Sequence, residues 1–234
     1  MALVLTIETS TDVCSAALSK DGQLLCYREN SEGFSHAALL AVFIDELLKE
    51  AAVTPKQLSA VCVGRGPGSY TGLRIGVSTA KGICYAAELP LIAVDSLLLM
   101  CYGAMEMAKT RLGDSNSFLL CPMIDARRME VYSALYDETF QLVDPVKAVI
   151  IEPSSFASFL EKGKVVFFGN GAAKCKEFID HPNAIFLEGN YASAKNLITP
   201  ALDAFKNSDF VDVAYFEPFY LKDFVITTSK KKYF

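Results

Sequence analysis

The sequence has only two histidines, His36 and His181, and neither has a second histidine or a cysteine at ligand spacing. A zinc site, which needs three or four such donors, is not expected. No Cys-x-x-Cys pair occurs among the seven cysteines, at positions 14, 26, 62, 84, 101, 121 and 175. Their odd number and scatter through apolar segments read as reduced core residues, not disulfides or ligands. No run of eighteen apolar residues escapes a charge, because Asp95 interrupts the longest, so no membrane span is expected. The apolar start, from Leu3 to Ile7, meets Glu8 too soon for a signal peptide, and the expectation is a cytoplasmic protein. Positive charge is in short supply too. A net charge of −5 argues against strong nucleic-acid binding by this chain alone, since that affinity rests on neutralising phosphates. Lys230-Lys231-Lys232 is the only basic run and reads as a solvated tail.

What is present is an apolar content of 52% over 234 residues, enough for a good core in one or two domains. The most distinctive stretch is Gly64-Arg65-Gly66-Pro67-Gly68-Ser69-Tyr70-Thr71-Gly72-Leu73-Arg74. It follows Ala60-Val61-Cys62-Val63, an apolar strand, and leads into Leu73, Val77, Ala80, Cys84 and Ala87 at helical spacing. Thr71 reads as the N-cap, and the helix start offers unpaired N–H groups to an anion. Arg65, Arg74 and Lys81 are candidate anion contacts around the loop, although Arg74 and Lys81 also suit a solvated helix side, the favoured reading for Lys81. A P-loop would need Gly-Lys-Ser or Gly-Lys-Thr, which is missing, and the dinucleotide fingerprint fails at Thr71. The other reading is a rigid connector whose glycines let a strand and helix pack closely.

The order of elements is more informative. Strands at residues 3–8, 13–18 and 23–29 precede a helix at 35–52, capped by Ser35. A strand, the glycine loop, a helix, a strand at 91–94 and a helix at 96–109 follow. After the linker candidate Gly113-Asp114-Ser115-Asn116-Ser117, strands read at 118–124, 129–136 and 139–143. A helix at 152–162, a strand at 165–168, a helix at 172–179, a strand at 184–187 and a helix at 193–207 complete the chain. Both halves, residues 1–112 and 113–234, thus read βββαβαβα. That suggests an α/β fold of actin-like ATPase (ASKHA) architecture, two RNase-H-like lobes around a cleft. The helix at 35–52 carries Leu39, Leu40, Val42, Phe43, Ile44, Leu47 and Leu48 over more than one stripe. It is either sandwiched within its own fold or partly exposed as a contact surface.

Glu8-Thr9-Ser10-Thr11, the stretch from Gly64 to Gly76, Asp125-Ala126-Arg127-Arg128-x-Glu130-Val131-Tyr132 and Pro218-x-Tyr220-Leu221-Lys222 together resemble the TsaB (YeaZ) family over nearly the whole chain. Glu8 stands where many members have Asp, Met129 where glycine is usual, and Lys222 where Arg is usual. The resemblance implies a non-catalytic partner of TsaD in the synthesis of N6-threonylcarbamoyladenosine in tRNA. A P-loop ATPase, TsaE, joins the pair, and the isolated chain is expected to form a homodimer. Contact with tRNA is expected only through the complex. Catalytic relatives hold a metal with His-x-x-x-His on the helix matching 35–52, where this chain has His36 and Leu40. No catalytic residue and no metal ligand are therefore expected.

Partner contacts are expected at Ser35, His36, Leu39, Leu40, Phe43, Leu47, Arg65, Tyr70 and Arg74. Glu8, Thr9, Ser10, Gly66, Gly68 and Ser69 are candidates for a residual or shared nucleotide site. No cofactor held tightly by this chain is expected, and ATP or ADP with magnesium only in the assembled complex. The Glu8 turn reads equally as phosphate-facing, as a contact for TsaE, or as a strand-end acid that caps the turn. A rival reading is an autonomous ATP-dependent kinase of the same fold. A third, an NAD-dependent oxidoreductase resting on Gly66-x-Gly68 and Asp95, conflicts with the N-terminal hairpins.

Overall fold

The computed structural model describes residues 1–32, 36–113, 117–189 and 191–222. Strand β1 (Leu3–Glu8), β2 (Cys14–Lys20) and β3 (Gln23–Asn30) form an antiparallel meander. Asp21 and Gly22 both take positive φ, 50° and 83°, as the two-residue turn between β2 and β3 requires. The chain continues through α1 (His36–Glu50), β4 (Ala60–Gly64), α2 (Tyr70–Ala87), β5 (Leu91–Val94) and α3 (Ser96–Leu112). β4 pairs parallel to β1, and β5 parallel to β4, giving the order β3-β2-β1-β4-β5.

The second half supplies β6 (Phe118–Asp125), β7 (Glu130–Tyr136), β8 (Leu142–Ile150), α4 (Ala157–Leu160), β9 (Lys164–Phe168), β10 (Ala184–Phe186) and α5 (Ile198–Lys206). Its sheet runs β10-β9-β6-β7-β8. Counted from the first strand of each half, both orders are the same, with three antiparallel strands and two parallel additions. This is the actin-like architecture of two RNase-H-like lobes.

The second half departs from the sequence expectation in its details. The strand expected at 139–143 is β8, which runs on through Pro145 to Ile150. A proline is tolerated there because β8 is an edge strand, whose outer N–H groups have no partner to lose. The helix expected at 152–162 shrinks to α4, since Phe156 takes φ 64° and interrupts the backbone just before it. Residues 172–179 form only a 3-10 turn, Ala173–Cys175, between other turns. Ala172, Cys175 and Ile179 are nonetheless buried, so the apolar spacing marked contacts and not a helix. The last helix begins as a 3-10 turn, Ala194–Leu197, and becomes α5 only at Ile198. Asp114, Ser115 and Asn116 of the linker candidate, and the Lys230-Lys231-Lys232 run, lie outside the described residues.

The largest core cluster takes side chains from both sheets. Val4 and Ile92 come from the first, Leu120 and Phe168 from the second, with Leu97, Met100 and Ala104 of α3 among them. Full burial of side chains this size contributes about 1.5–3 kcal/mol each. Backbone links reinforce the junction: Ala194 N donates to Ser15 Oγ at 2.9 Å, and Thr6 Oγ1 to the Ala194 carbonyl at 2.8 Å. All seven cysteines are buried and free. Burial pushes the Cys14 and Cys84 thiols up to about 11.

Candidate functional site

The glycine loop and the turn after β1 are built into each other. Ser69 N donates to the Ser10 carbonyl at 2.6 Å, and Thr9 Oγ1 donates to the Gly72 carbonyl at 2.8 Å. A side chain on Gly68 would collide with the Ser10 carbonyl, and one on Gly72 with the Thr9 carbonyl. At Gly76 the obstacle is the Thr9 hydroxyl, and at Gly64 it is the Glu8 carboxyl. Gly66 has its own requirement, a φ of 106°. The glycines thus admit residues 8–10 of the same chain. The N-cap of α2 is Ser69, whose Oγ accepts from Gly72 N at 3.3 Å, in place of the expected Thr71.

Glu8, Thr9 and Ser10 are each 0% exposed, and of the candidate nucleotide residues Ser10, Gly68 and Ser69 line the cleft between the two halves. One Glu8 oxygen, Oε1, accepts from Ser10 N, while Oε2 has no hydrogen-bond partner among the described residues. Burial therefore raises the Glu8 pKa above its ordinary value of 4.5. The Ser10 and Thr9 amides soften that shift without cancelling it. Because the folded-state pKa lies above the unfolded one, Glu8 contributes its full stability below that ordinary value. The contribution is lost as pH rises through the raised one. Wild-type protein is therefore expected to lose stability relative to Glu8→Gln over the range above the ordinary carboxylate value of 4.5. Urea denaturation of both across that range checks it, and parallel curves would contradict it.

Between the lobes lies an open cleft of about 710 Å³. Ser69 and Tyr70 line it from the first half, Arg127 and Asn170 from the second, and Tyr220 and Lys222 from the C-terminal segment. Arg127 and Arg128 take left-handed φ values of 70° and 52° in the turn between β6 and β7, just before Met129. Lys174 braces this turn, donating to Asp125 Oδ1 at 2.6 Å and to the Arg128 and Glu130 carbonyls at 2.7 Å each. Asn170 accepts from Asp125 N at 3.0 Å and donates to Asp12 across the cleft at 3.4 Å. Among the described residues, no group of three His, Cys, Asp or Glu side chains could hold a metal ion.

The expected partner residues separate into inward and outward sets. His36, Leu40 and Leu47 are 4%, 1% and 0% exposed, so they serve this chain's own core. His36 Nε2 lies 3.0 Å from the Thr11 carbonyl, to which it can donate. Leu39 and Phe43 are half-buried at the edge of that core. The outward side of α1 carries Ala38, Ala41 and Val42, with Val42 48% exposed. Ser35 lies outside the described residues. Arg65 pairs with Asp95 at 2.7 and 3.1 Å, with its side chain still 42% exposed. Arg74 stacks over the Tyr70 ring at 4.2 Å and donates to Tyr220 Oη at 3.2 Å. Lys81 is not a solvated side chain, because it donates to the Ala214 and Phe216 carbonyls at 3.0 and 2.9 Å. Sequence reasoning missed Lys174, Asn170 and the Lys222–Glu130 pair. The Pro218-x-Tyr220-Leu221-Lys222 ending was the one signal pointing toward the last of these.

A family model described as TsaD: tRNA N6-adenosine threonylcarbamoyltransferase matches residues 33–228. The Escherichia coli (strain K12) protein named tRNA threonylcarbamoyladenosine biosynthesis protein TsaB is 29% identical over 231 residues, covering 94% of each chain. The Bacillus subtilis protein of the same name is 31% identical over 184 residues, covering 76% of this chain and 75% of its own. Among solved structures, YeaZ from Pseudomonas aeruginosa superposes with a TM-score of 0.81 at 26% identity, covering 94% of this chain and 100% of that one.

Proposed function

The chain belongs to the TsaB (YeaZ) family, and on that premise we propose that it is a non-catalytic, activating subunit in the synthesis of threonylcarbamoyladenosine in tRNA. Its partners are a TsaD-type catalytic subunit and a TsaE-type P-loop ATPase. Alone in the cytoplasm it pairs with a second copy, and it meets tRNA through the complex. The observation that carries this reading is the mutual filling of the Glu8 turn and the glycine loop. A carboxylate that orients a metal-bound phosphate must face it; Glu8 is wholly enclosed, against Gly64. The same burial weighs against an autonomous kinase. Nucleotide with magnesium is then held only where the assembled complex adds residues from other chains.

The outward side of α1, with Ala38, Ala41 and Val42, supports a helical partner contact, because small and β-branched apolar residues let helices approach closely. Among the described residues, no helix is long and apolar enough to cross a membrane. Reconstitution tests the reading directly. This chain, the catalytic subunit, the ATPase, tRNA, ATP and threonylcarbamoyl adenylate are combined, and then this chain is left out. Modification of the tRNA is expected to collapse. Undiminished modification would refute the proposal.

A further inference from the structure

The C-terminal segment beyond α5 is held in two different ways. Its first part is anchored: Val211 N donates to the Leu91 carbonyl at 2.9 Å, and Val211, Val213 and Phe216 pack against the core cluster that includes Val77, Ala80 and Cys84 of α2. Lys81 secures it through the Ala214 and Phe216 carbonyls. Beyond Pro218 the attachments lie at the surface. Phe219 N donates to the Arg65 carbonyl at 2.7 Å, and the Tyr220 ring packs on Tyr70 at 4.8 Å. Tyr220 Oη accepts from Arg74, and Lys222 pairs with Glu130 on the other lobe. Exposed ion pairs and single aromatic contacts of this kind are individually weak.

We propose that residues 219–222 are a releasable clasp that competes with the partner subunit for Tyr70 and Arg74 on α2. Its release frees the inter-lobe cleft in the same step. The coupling follows from position. Tyr220 covers the first turns of α2, Lys222 bridges to the second lobe, and both line the cleft. A surface that takes Tyr70 and Arg74 must displace Tyr220, and by linkage anything that frees the clasp strengthens that surface's binding. The inference rests on the proposed binding of a TsaD-type subunit at α1, extended to the contacts expected of Tyr70 and Arg74 on α2.

Two measurements test it. In the isolated protein, hydrogen exchange at the Phe219 amide is expected to accelerate about tenfold in Tyr220→Ala, while the anchored Val211 amide keeps its rate. Titration with the catalytic subunit is expected to show Tyr220→Ala binding several-fold tighter than wild type. Lys222→Ala, which cuts the far end of the clasp away from α2, is expected to shift affinity the same way. If both variants bind with unchanged or weaker affinity while Val42→Asp loses binding, the clasp is refuted and the partner face stands. If wild type does not bind the catalytic subunit at all, the partner reading fails, and the clasp's competition with it. An unchanged Phe219 exchange rate in Tyr220→Ala would also overturn the clasp.

Discussion

Gly72→Ala is expected to destabilise the protein by about 3 kcal/mol, although alanine in a helix ordinarily gains about 1 kcal/mol over glycine. The reversal comes from position. Gly72 is in the first turn of α2, buried, with the Thr9 carbonyl occupying the space a methyl group would need. The obstruction is backbone, so it cannot rotate away as a flexible side chain would. Either α2 or the Glu8 turn must shift, and that breaks the Thr9 to Gly72 and Ser69 to Ser10 hydrogen bonds. Gly82 supplies the control. It is in the same helix, with nothing within 4 Å of where its Cβ would be. Gly82→Ala is expected to stabilise by about 1 kcal/mol. Thermal unfolding reads both: a fall in Tm of about 6–12 °C for Gly72→Ala and a rise of about 2–4 °C for Gly82→Ala. Two equal rises would mean that the glycine loop does not enclose residues 8–10.

Val42→Asp is expected to weaken binding to the catalytic subunit by about thirtyfold or more, the loss of about 2 kcal/mol typical of a central interface residue. Its effect on folding is expected to stay within about 0.5 kcal/mol, because Val42 is 48% exposed on the outer side of α1. Leu40→Asp, only two residues away, is expected to do the opposite. Leu40 is 1% exposed beneath the same helix. A carboxylate there loses the leucine's packing and buries a charge, at a cost of about 5 kcal/mol, as much as the whole stability of a marginal domain. Circular dichroism and gel filtration of each variant, followed by titration with the catalytic subunit, separate the two outcomes. A folded Val42→Asp protein with wild-type affinity would move the partner contact off α1.

Much of the first lobe was legible because its signals are local. Asp21-Gly22 specifies a tight hairpin, Thr54-Pro55 breaks the chain before β4, and both sheets repeat one strand order. The second lobe was less legible where tertiary contacts overrule local pattern. β8 runs through Pro145 because only an edge strand can, and a sequence does not say which strand will be at the edge. The buried trio Ala172, Cys175 and Ile179 has helical spacing, yet packing satisfies it with turns.

At the candidate site, the sequence by itself determined which stretches matter: the Glu8 turn, the glycine loop, α1 and the Pro218-x-Tyr220 ending. It determined the family through them. Only the tertiary structure decided what those stretches do to one another. A glycine announces that a side chain is excluded without saying what fills the space, and here Glu8, Thr9 and Ser10 fill it. A helix apolar over more than one stripe can turn either side to its own core. Packing against β2 and β3 chose His36, Leu40, Ile44 and Leu47, and left Val42 outside.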